Sequence, residues 1–310
     1  MHSKVGQPFR AAAALPRGAQ TIAAGMGGGG PEGPPHSSRR RLLVFPREHG
    51  AWGLLLVPLI TGAAVGLLSG GQILPLVPLT IAALVLFWLR TPVESWIGTT
   101  PMRAQAGAEM RLVRRTVAML AAVSLLALVW LFWDARNRDL AWIGAGAAVA
   151  FLAQTLLKKV WRSARLVAQM IGAAGLTATA PAAYYAATGR LSSTAWMLWI
   201  ANFLFAMNQI HFVQLRIHAV RVATRSEKFS AGRGFLTGQF LLMIGIGLAC
   251  GFRVFPWYGA LAFLPLLYRG FAWFARKSAP LAVRALGWSE LAYAVGFGVL
   301  LVWGVRSGGF

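Results

Sequence analysis

The chain has 310 residues, which would suggest one or two domains in a soluble protein, but its composition excludes that class. Hydrophobic residues make up 57% and charged residues 12%, about half the share of roughly 25% that is usual in soluble domains, and the mean hydropathy is +0.60. The net charge of +22 fits basic cytoplasmic loops of a membrane protein better than nucleic-acid binding. The single cysteine, Cys250, excludes a disulfide framework and a cysteine-based zinc site.

Residues 1–40 differ from the rest of the chain. The stretch 25–41 is rich in glycine, proline and arginine and has too few apolar residues to bury a core. It also lacks the apolar run of a secretory signal peptide. We predict that residues 1–40 are a disordered tail and that residues 41–310 form one transmembrane domain.

Nine apolar segments follow the tail, and each is long enough, or nearly so, to span about 30 Å of hydrocarbon. They lie at about 50–70, 73–91, 115–133, 139–158, 165–187, 194–215, 234–252, 255–272 and 281–304. The sequence therefore predicts an all-α, polytopic membrane bundle of about nine helices.

The charges of the connecting stretches alternate along the chain. Basic clusters precede the first segment and follow the second, fourth, sixth and eighth, whereas the other connections carry little net positive charge. The cluster after the sixth segment contains Arg216, Arg221, Arg225, Lys228 and Arg233, and the one before the ninth contains Arg269, Arg276, Lys277 and Arg284. Because positively charged loops stay in the cytoplasm, this alternation predicts a cytoplasmic N-terminus and an external C-terminus.

Polar side chains gather at the cytoplasmic ends of four segments. Glu290 is the most informative, because a lone carboxylate within an apolar segment is expensive unless it is paired or faces water. We predict catalytic or proton-handling roles for four residues: Glu290, Glu94, Glu48 and His211. We predict ligand-binding roles for seven others: Arg47, His49, Arg90, Asn208, Gln214, Arg216 and His218.

The sixth segment is polar on two sides at its cytoplasmic end. At 100° per residue, one stripe contains His211, Gln214, His218, Arg221 and Arg225, with Asn208 at its edge. Asn202, Gln209 and Arg216 form the opposite stripe. We expect one stripe to pack on a neighbouring helix through hydrogen bonds and the other to line a cavity. The sequence leaves open which stripe does which.

Each candidate has a purely structural alternative. Glu290 would form a structural ion pair with an arginine such as Arg216 or Arg47, and Glu48 would only favour the positive end of a helix. His49 would be an interfacial cap, and several arginines would serve only to orient the loops. The carboxylates are not grouped at short spacing, so the pattern predicts no metal site, and it identifies no cofactor.

Several motifs resemble those of a known family. The stretch 45–52, Phe-Pro-Arg-Glu-His-Gly-Ala-Trp, resembles the entry signature of the bacterial YwiC-like membrane proteins, and residues 90–94 are similar to that family's "R-x-P-x-E/L" turn. Residues 180–189 and the end of the sixth segment also resemble the family, although His211 and His218 depart from its pattern. The resemblance covers about 43–305 and implies a multi-pass protein of the bacterial cytoplasmic membrane, without implying an activity.

A second resemblance concerns layout. Nine helices with polar exits from the second and sixth are similar to the UbiA prenyltransferase superfamily, whose aspartate-rich motifs at these exits bind Mg²⁺ and an isoprenyl diphosphate. Here the exits carry Arg90–Glu94 and Asn208–His218, without aspartate, so metal-dependent prenyl transfer is in doubt.

Two hypotheses of function remain. In the first, a UbiA-like bundle holds an anionic amphipathic or isoprenoid-type ligand in a cytoplasm-facing basic pocket, with or without a transferase activity. Its arginines and histidines would bind the head directly. In the second, the protein transports a small anion or a proton-coupled solute. The expected partners are the lipid bilayer and an amphipathic small molecule.

Overall fold

A computed structural model describes residues 43–45, 49–98, 104, 107–133, 139–160, 165–222, 224–276 and 282–308. The regular elements in these ranges are helices, with no strand among them. They are α1 His49–Leu68, α2 Leu76–Ile97, α3 Ala108–Trp133, α4 Leu140–Val160, α5 Arg165–Thr177, α6 Thr179–Thr188, α7 Ser193–His218, α8 Arg225–Gly251, α9 Trp257–Ala260, α10 Leu264–Ala275 and α11 Val283–Ser307. The 3₁₀ turns Ala219–Arg221 and Leu261–Phe263 follow α7 and α9.

Within the described ranges, six helical stretches are long and apolar enough to cross a membrane. They are Leu76–Ile97, Ala108–Trp133, Leu140–Leu157, Leu166–Thr188, Arg225–Gly251 and Arg284–Ser307, and the apolar stretch Trp52–Leu68 is shorter. The prediction of an all-α, multi-span membrane protein is confirmed. The count of nine spans and the orientation stay predictions, although each of the nine predicted segments overlaps a helix.

Helix α1 is a central element of the fold, in contact with α5, α6, α7 and α11. Its closest approach is to α6, where Gly62 and Gly66 form a Gly-x-x-x-Gly pattern. A Cβ atom on Gly62 would lie 2.1 Å from the carbonyl oxygen of Ala180, and one on Gly66 would lie 2.8 Å from Cβ of Ala187. Small residues allow membrane helices to approach to this distance, so the alanine-rich α6 packs directly on the α1 backbone.

Helix α7 is joined to its neighbours by buried amides. Asn202 donates from Nδ2 to Oγ1 of Thr61 on α1 at 3.1 Å. Further along, Gln214 donates from Nε2 to Oε1 of Gln169 on α5 at 2.8 Å. In a low-dielectric interior such groups are costly unless they are paired, so these bonds fix the neighbours of α7.

Two helix boundaries differ from the predicted segments. Helix α8 begins at Arg225 instead of near 234, because Thr224 and Glu227 form a capping box there. Lys228 and Arg233, which the loop-charge pattern assigned to a connection, therefore lie within a helix. The predicted eighth segment is interrupted into α9, a 3₁₀ turn and α10, and Arg269 belongs to α10 instead of a loop.

Candidate polar site between α7, α10 and α11

The candidate site is centred on Glu290, in the first third of α11. Its side chain is buried, with the residue only 5% exposed. The Oε2 atom accepts a hydrogen bond from Nη1 of Arg269 on α10, and this arginine is 8% exposed. The two charges thus form a buried ion pair between two helices that both contribute to the apolar interior.

Two aromatic rings cover the guanidinium of Arg269. Its Cζ atom lies 4.2 Å from the ring centroid of Phe212 on α7 and 4.8 Å from that of Tyr293 on α11. Such cation–π contacts orient the plane of the guanidinium as well as stabilising its charge. Three helices therefore fix where the hydrogen-bonding edges of Arg269 point.

One edge of this guanidinium has no partner among the described residues. Nε and Nη2 of Arg269 are buried without a hydrogen bond, and so is Oε1 of Glu290. Nε and Nη2 form one edge of the planar guanidinium, here called the fork. This edge can pair with a carboxylate or a phosphate through two parallel hydrogen bonds. The arginine thus presents a complete bidentate edge that the ion pair leaves unused.

Neighbouring polar groups complete the cluster. Gln209 of α7 donates from Nε2 to the backbone oxygen of Glu290 at 3.1 Å. Arg216, seven residues after Gln209 on the same stripe of α7, is half-buried. At the start of α8, the buried Nζ of Lys228 donates to the backbone oxygens of Trp273 at 3.2 Å and Arg276 at 2.7 Å, which joins α8 to the end of α10.

Both stripes of α7 contact neighbouring helices. On one, Asn202 and Gln209 bond to α1 and α11, and on the other, Gln214 bonds to α5. On the other stripe, half-buried His211 lies edge-on to Phe235 of α8, with ring centroids 5.4 Å apart. Exposed His218 is bonded through Nδ1 to the backbone oxygen of Gln214 at 2.7 Å.

The predicted residues on α2 form a pair of their own. Nε of Arg90 donates to Oε1 of Glu94 at 2.9 Å, and the two side chains are 15% and 20% exposed. Cζ of Arg90 also lies 5.9 Å from the ring centroid of Phe151 on α4. The contacts described for Arg269 and Glu290 come from α7, α10 and α11, so the pair on α2 belongs to a different set of contacts.

Four other predictions are answered only in part. Arg47 and Glu48 lie outside the described residues, and His49 begins α1 without a described side chain. Asn208 is buried, with Oδ1 lacking a hydrogen bond to the described residues. No three His, Cys, Asp or Glu side chains come together to hold a metal ion within the described ranges. The catalytic and ligand-binding roles of all these residues stay predictions.

Sequence reasoning missed Arg269, the partner of Glu290. It lies in an otherwise apolar stretch, 255–272, yet it was counted as a loop charge because it is followed by Arg276. The useful signal was its position six residues before Ala275, where the helix ends, and the absence of a second charge from 254 to 275. Among the described residues, the arginine paired with Glu290 is Arg269 instead of the predicted Arg216, and Arg47 lies outside the described residues.

Comparison with known families bears on the first part of the chain. The YwiC-like protein family model matches residues 45–184. This range contains the entry signature at 45–52, the Arg90–Glu94 pair and the start of α6, but it ends before the Arg269–Glu290 cluster. No curated protein matches the chain. The predicted resemblance is thus confirmed over part of its expected range: residues 45–184 of this chain are similar to the YwiC-like protein family.

Proposed function

We propose that this membrane protein binds the anionic head of an amphipathic molecule at the free edge of Arg269. The observation that carries the proposal is the unpaired Nε and Nη2 edge of a guanidinium buried between Phe212 and Tyr293. A buried donor without an acceptor costs about 1–3 kcal/mol, and more when it is charged. An anion with two oxygens in one plane removes that cost at both nitrogens.

The surroundings support an amphipathic ligand. Phe212, Phe235, Trp273 and Phe274 form an apolar cluster between α7, α8 and α10, which suits a hydrocarbon tail, and Arg216 would add positive charge on the side of the head. The ligand class is that of an isoprenoid-type or other lipid phosphate or carboxylate. Arg47, Arg90 and His211 remain proposed contacts of the head, and a UbiA-like transferase activity remains a proposal that rests on layout alone.

The membrane arrangement belongs to the same proposal. We infer nine spans in a bacterial cytoplasmic membrane, with a cytoplasmic N-terminus, from the alternation of basic and weakly charged connections. Helix α7 supports this inference: it has 26 residues, and it misses the hydropathy of the six candidate spans because it carries buried Asn202, Asn208 and Gln209. Those amides are satisfied or enclosed by neighbouring helices, as membrane helices require.

Lipid analysis of the purified protein tests the proposal. The protein is extracted in a mild detergent, and its bound lipids are identified by mass spectrometry. We expect an anionic lipid to co-purify with the natural protein and with the control Arg233→Gln, which changes an exposed arginine. Arg269→Lys keeps the charge without the fork and should retain much less. Equal retention in Arg269→Lys, or no anionic lipid on the natural protein, contradicts the proposal.

A second candidate function, transport of a small anion or a proton-coupled solute, is favoured by one observation. Arg269 lies on a span that is interrupted by a 3₁₀ turn at Leu261–Phe263, with α9 before it and α10 after it. Discontinuous helices frequently form the substrate sites of transporters. Uptake of radiolabelled anions into proteoliposomes would support this candidate, and uptake that Arg269→Lys leaves unchanged would contradict it.

A further inference from the structure

We infer that the anion bound at Arg269 is taken up together with one proton, which Glu290 carries on Oε1. This inference rests on the proposed anion site and adds a second, coupled ligand to it. It follows from the positions of four buried atoms: Nη1 of Arg269, which is paired, and Nε and Nη2 of Arg269 and Oε1 of Glu290, which make no hydrogen bond to the described residues.

The geometry of the guanidinium allows both anions to contact the same cation. The Nη1 atom projects from Cζ in the direction opposite to the edge formed by Nε and Nη2. An anion at that edge would therefore leave the bond from Nη1 to Oε2 of Glu290 in place. Binding would add an anion without removing the carboxylate.

The charges would then no longer balance. Arg269 and Glu290 are each more than nine-tenths buried and cancel one another. A second anion leaves one negative charge in excess, and an uncompensated charge in such an interior is expensive. Of the two groups, the guanidinium stays protonated in proteins, so neutrality is restored by a proton on the carboxylate.

Glu290 has an oxygen available for that proton. Oε2 accepts from Arg269, whereas Oε1 is buried and makes no hydrogen bond to the described residues. The buffer acid in the aqueous phase gives up the proton and becomes its conjugate base, the Oε1–H bond forms, and Oε2 continues to accept from Nη1. The protonated carboxyl group then contributes no net charge, and Arg269 balances the anion alone.

The other charged or titratable groups that the structure describes around Glu290 do not replace this proton. Arg216 is only half-buried, so solvent screens its charge. Lys228 already donates hydrogen bonds to the backbone oxygens of Trp273 and Arg276. On α11 itself, Tyr293 covers a face of Arg269, and Arg284 is exposed. The described side chains of α1, 52–68, include none that titrates, and Tyr258 of α9 is exposed.

The consequence is a reciprocal linkage between anion and proton. If the anion drives proton uptake, a higher proton concentration must favour the anion to the same extent. Affinity would rise about tenfold for each unit by which the pH falls, over the range in which Glu290 is ionised in the free protein and protonated in the complex. In a transporter the same linkage would make the anion and the proton cross the membrane together, in the same direction.

Calorimetry with anions that do not titrate tests this inference. The full-length protein in detergent micelles is titrated with decanesulfonate and, separately, with inorganic sulfate, which distinguishes an amphipathic ligand from a free anion. Each titration is repeated in buffers of different ionisation enthalpy, and the dependence of the heat on the buffer gives the number of protons taken up. The natural protein and the control Glu109→Gln should take up about one proton per anion. Glu290→Gln should bind the anion and take up none.

The possible results separate the two proposals. Binding of either probe to the natural protein without proton uptake overturns this inference and leaves the anion site standing. Failure of the folded natural protein to bind either probe overturns both. If Glu290→Gln does not fold, the proton count of the natural protein still decides the question, because neither probe can supply or accept the proton.

Discussion

Two helix interfaces of this protein are built from opposite kinds of residue. One is the contact of α1 with α6, and the other is the cluster between α7, α10 and α11. In the first, Gly62 and Gly66 bring two backbones together over a row of buried alanines. In the second, Arg269 and Glu290 occupy the interface and leave three buried polar atoms without a hydrogen bond to the described residues. The first contact consists of closely packed small residues, whereas the second retains hydrogen-bonding groups that a ligand can use. Unsatisfied buried groups of this kind indicate function.

The largest effect is expected where one charge of the buried pair is removed. Arg269→Met should lower the free energy of unfolding by about 3–5 kcal/mol, because it leaves Glu290 as an unpaired charge in an apolar interior. The measurement is the thermal unfolding midpoint of the purified protein in detergent. Arg233→Gln, an exposed change on α8, is the control and should leave the midpoint unchanged.

The double variant Arg269→Met with Glu290→Leu sharpens the comparison. Replacing both charges of a buried pair by apolar residues is often neutral or stabilising, so the double variant should recover most of the midpoint lost in Arg269→Met. It should nevertheless bind no decanesulfonate. If the double variant recovers the midpoint and also binds decanesulfonate, the cluster serves only to pack the helices, like the contact of α1 with α6.

The second effect concerns the contact of α1 with α6. Gly62→Ala should lower the free energy of unfolding by about 3 kcal/mol, at the upper end of the cost of overpacking. The added Cβ would meet backbone atoms of Ala180, which cannot rotate away. Gly146→Ala is the matched control, since nothing lies within 4 Å of the Cβ that it would add. Equal midpoints for the two variants would show that α1 and α6 are not in close contact.

A smaller effect is expected at the edge of the polar cluster. Lys228→Met removes two charge-assisted hydrogen bonds to the backbone at the end of α10 and should lower the free energy of unfolding by about 2 kcal/mol. The loss is limited because methionine keeps most of the apolar stem in place against Trp273. The measurement is the thermal unfolding midpoint in detergent. A change smaller than the error of the midpoint would contradict the inference that the hydrogen bonds of Lys228 stabilise the packing of α8 on the end of α10.

The smallest effect is expected at the other Arg–Glu pair. Glu94→Gln on α2 should lower the free energy of unfolding by only about 0.5 kcal/mol, since the pair has i,i+4 spacing and is partly exposed. The same change at Glu290 should cost several times more. Raising the salt concentration should abolish the effect at Glu94 and leave the effect at Glu290. Equal losses of unfolding free energy in Glu94→Gln and Glu290→Gln would contradict the prediction that the buried pair contributes more than the partly exposed one.

How much of the site the sequence predicted can be judged from Glu290 and α7. A lone carboxylate in an apolar segment identified Glu290, because transfer of a charge into hydrocarbon is expensive in any fold. The spacing of Asn202, Gln209 and Arg216 identified a polar face of α7. Neither observation predicted Arg269 as the partner of Glu290. An arginine close to a basic loop has the same sequence context whether it orients the chain in the membrane or forms an ion pair between helices.

The sequence by itself determined the class of this protein and the approximate positions of its helices, because apolar length and backbone hydrogen bonding in a membrane depend only on local composition. Only the tertiary structure decided which buried charges meet, that α6 packs on Gly62 and Gly66, and that one edge of Arg269 has no hydrogen-bond partner among the described residues. These features depend on which helices are neighbours and how each is rotated, and residues far apart in the chain, such as Gln209 and Glu290, set both.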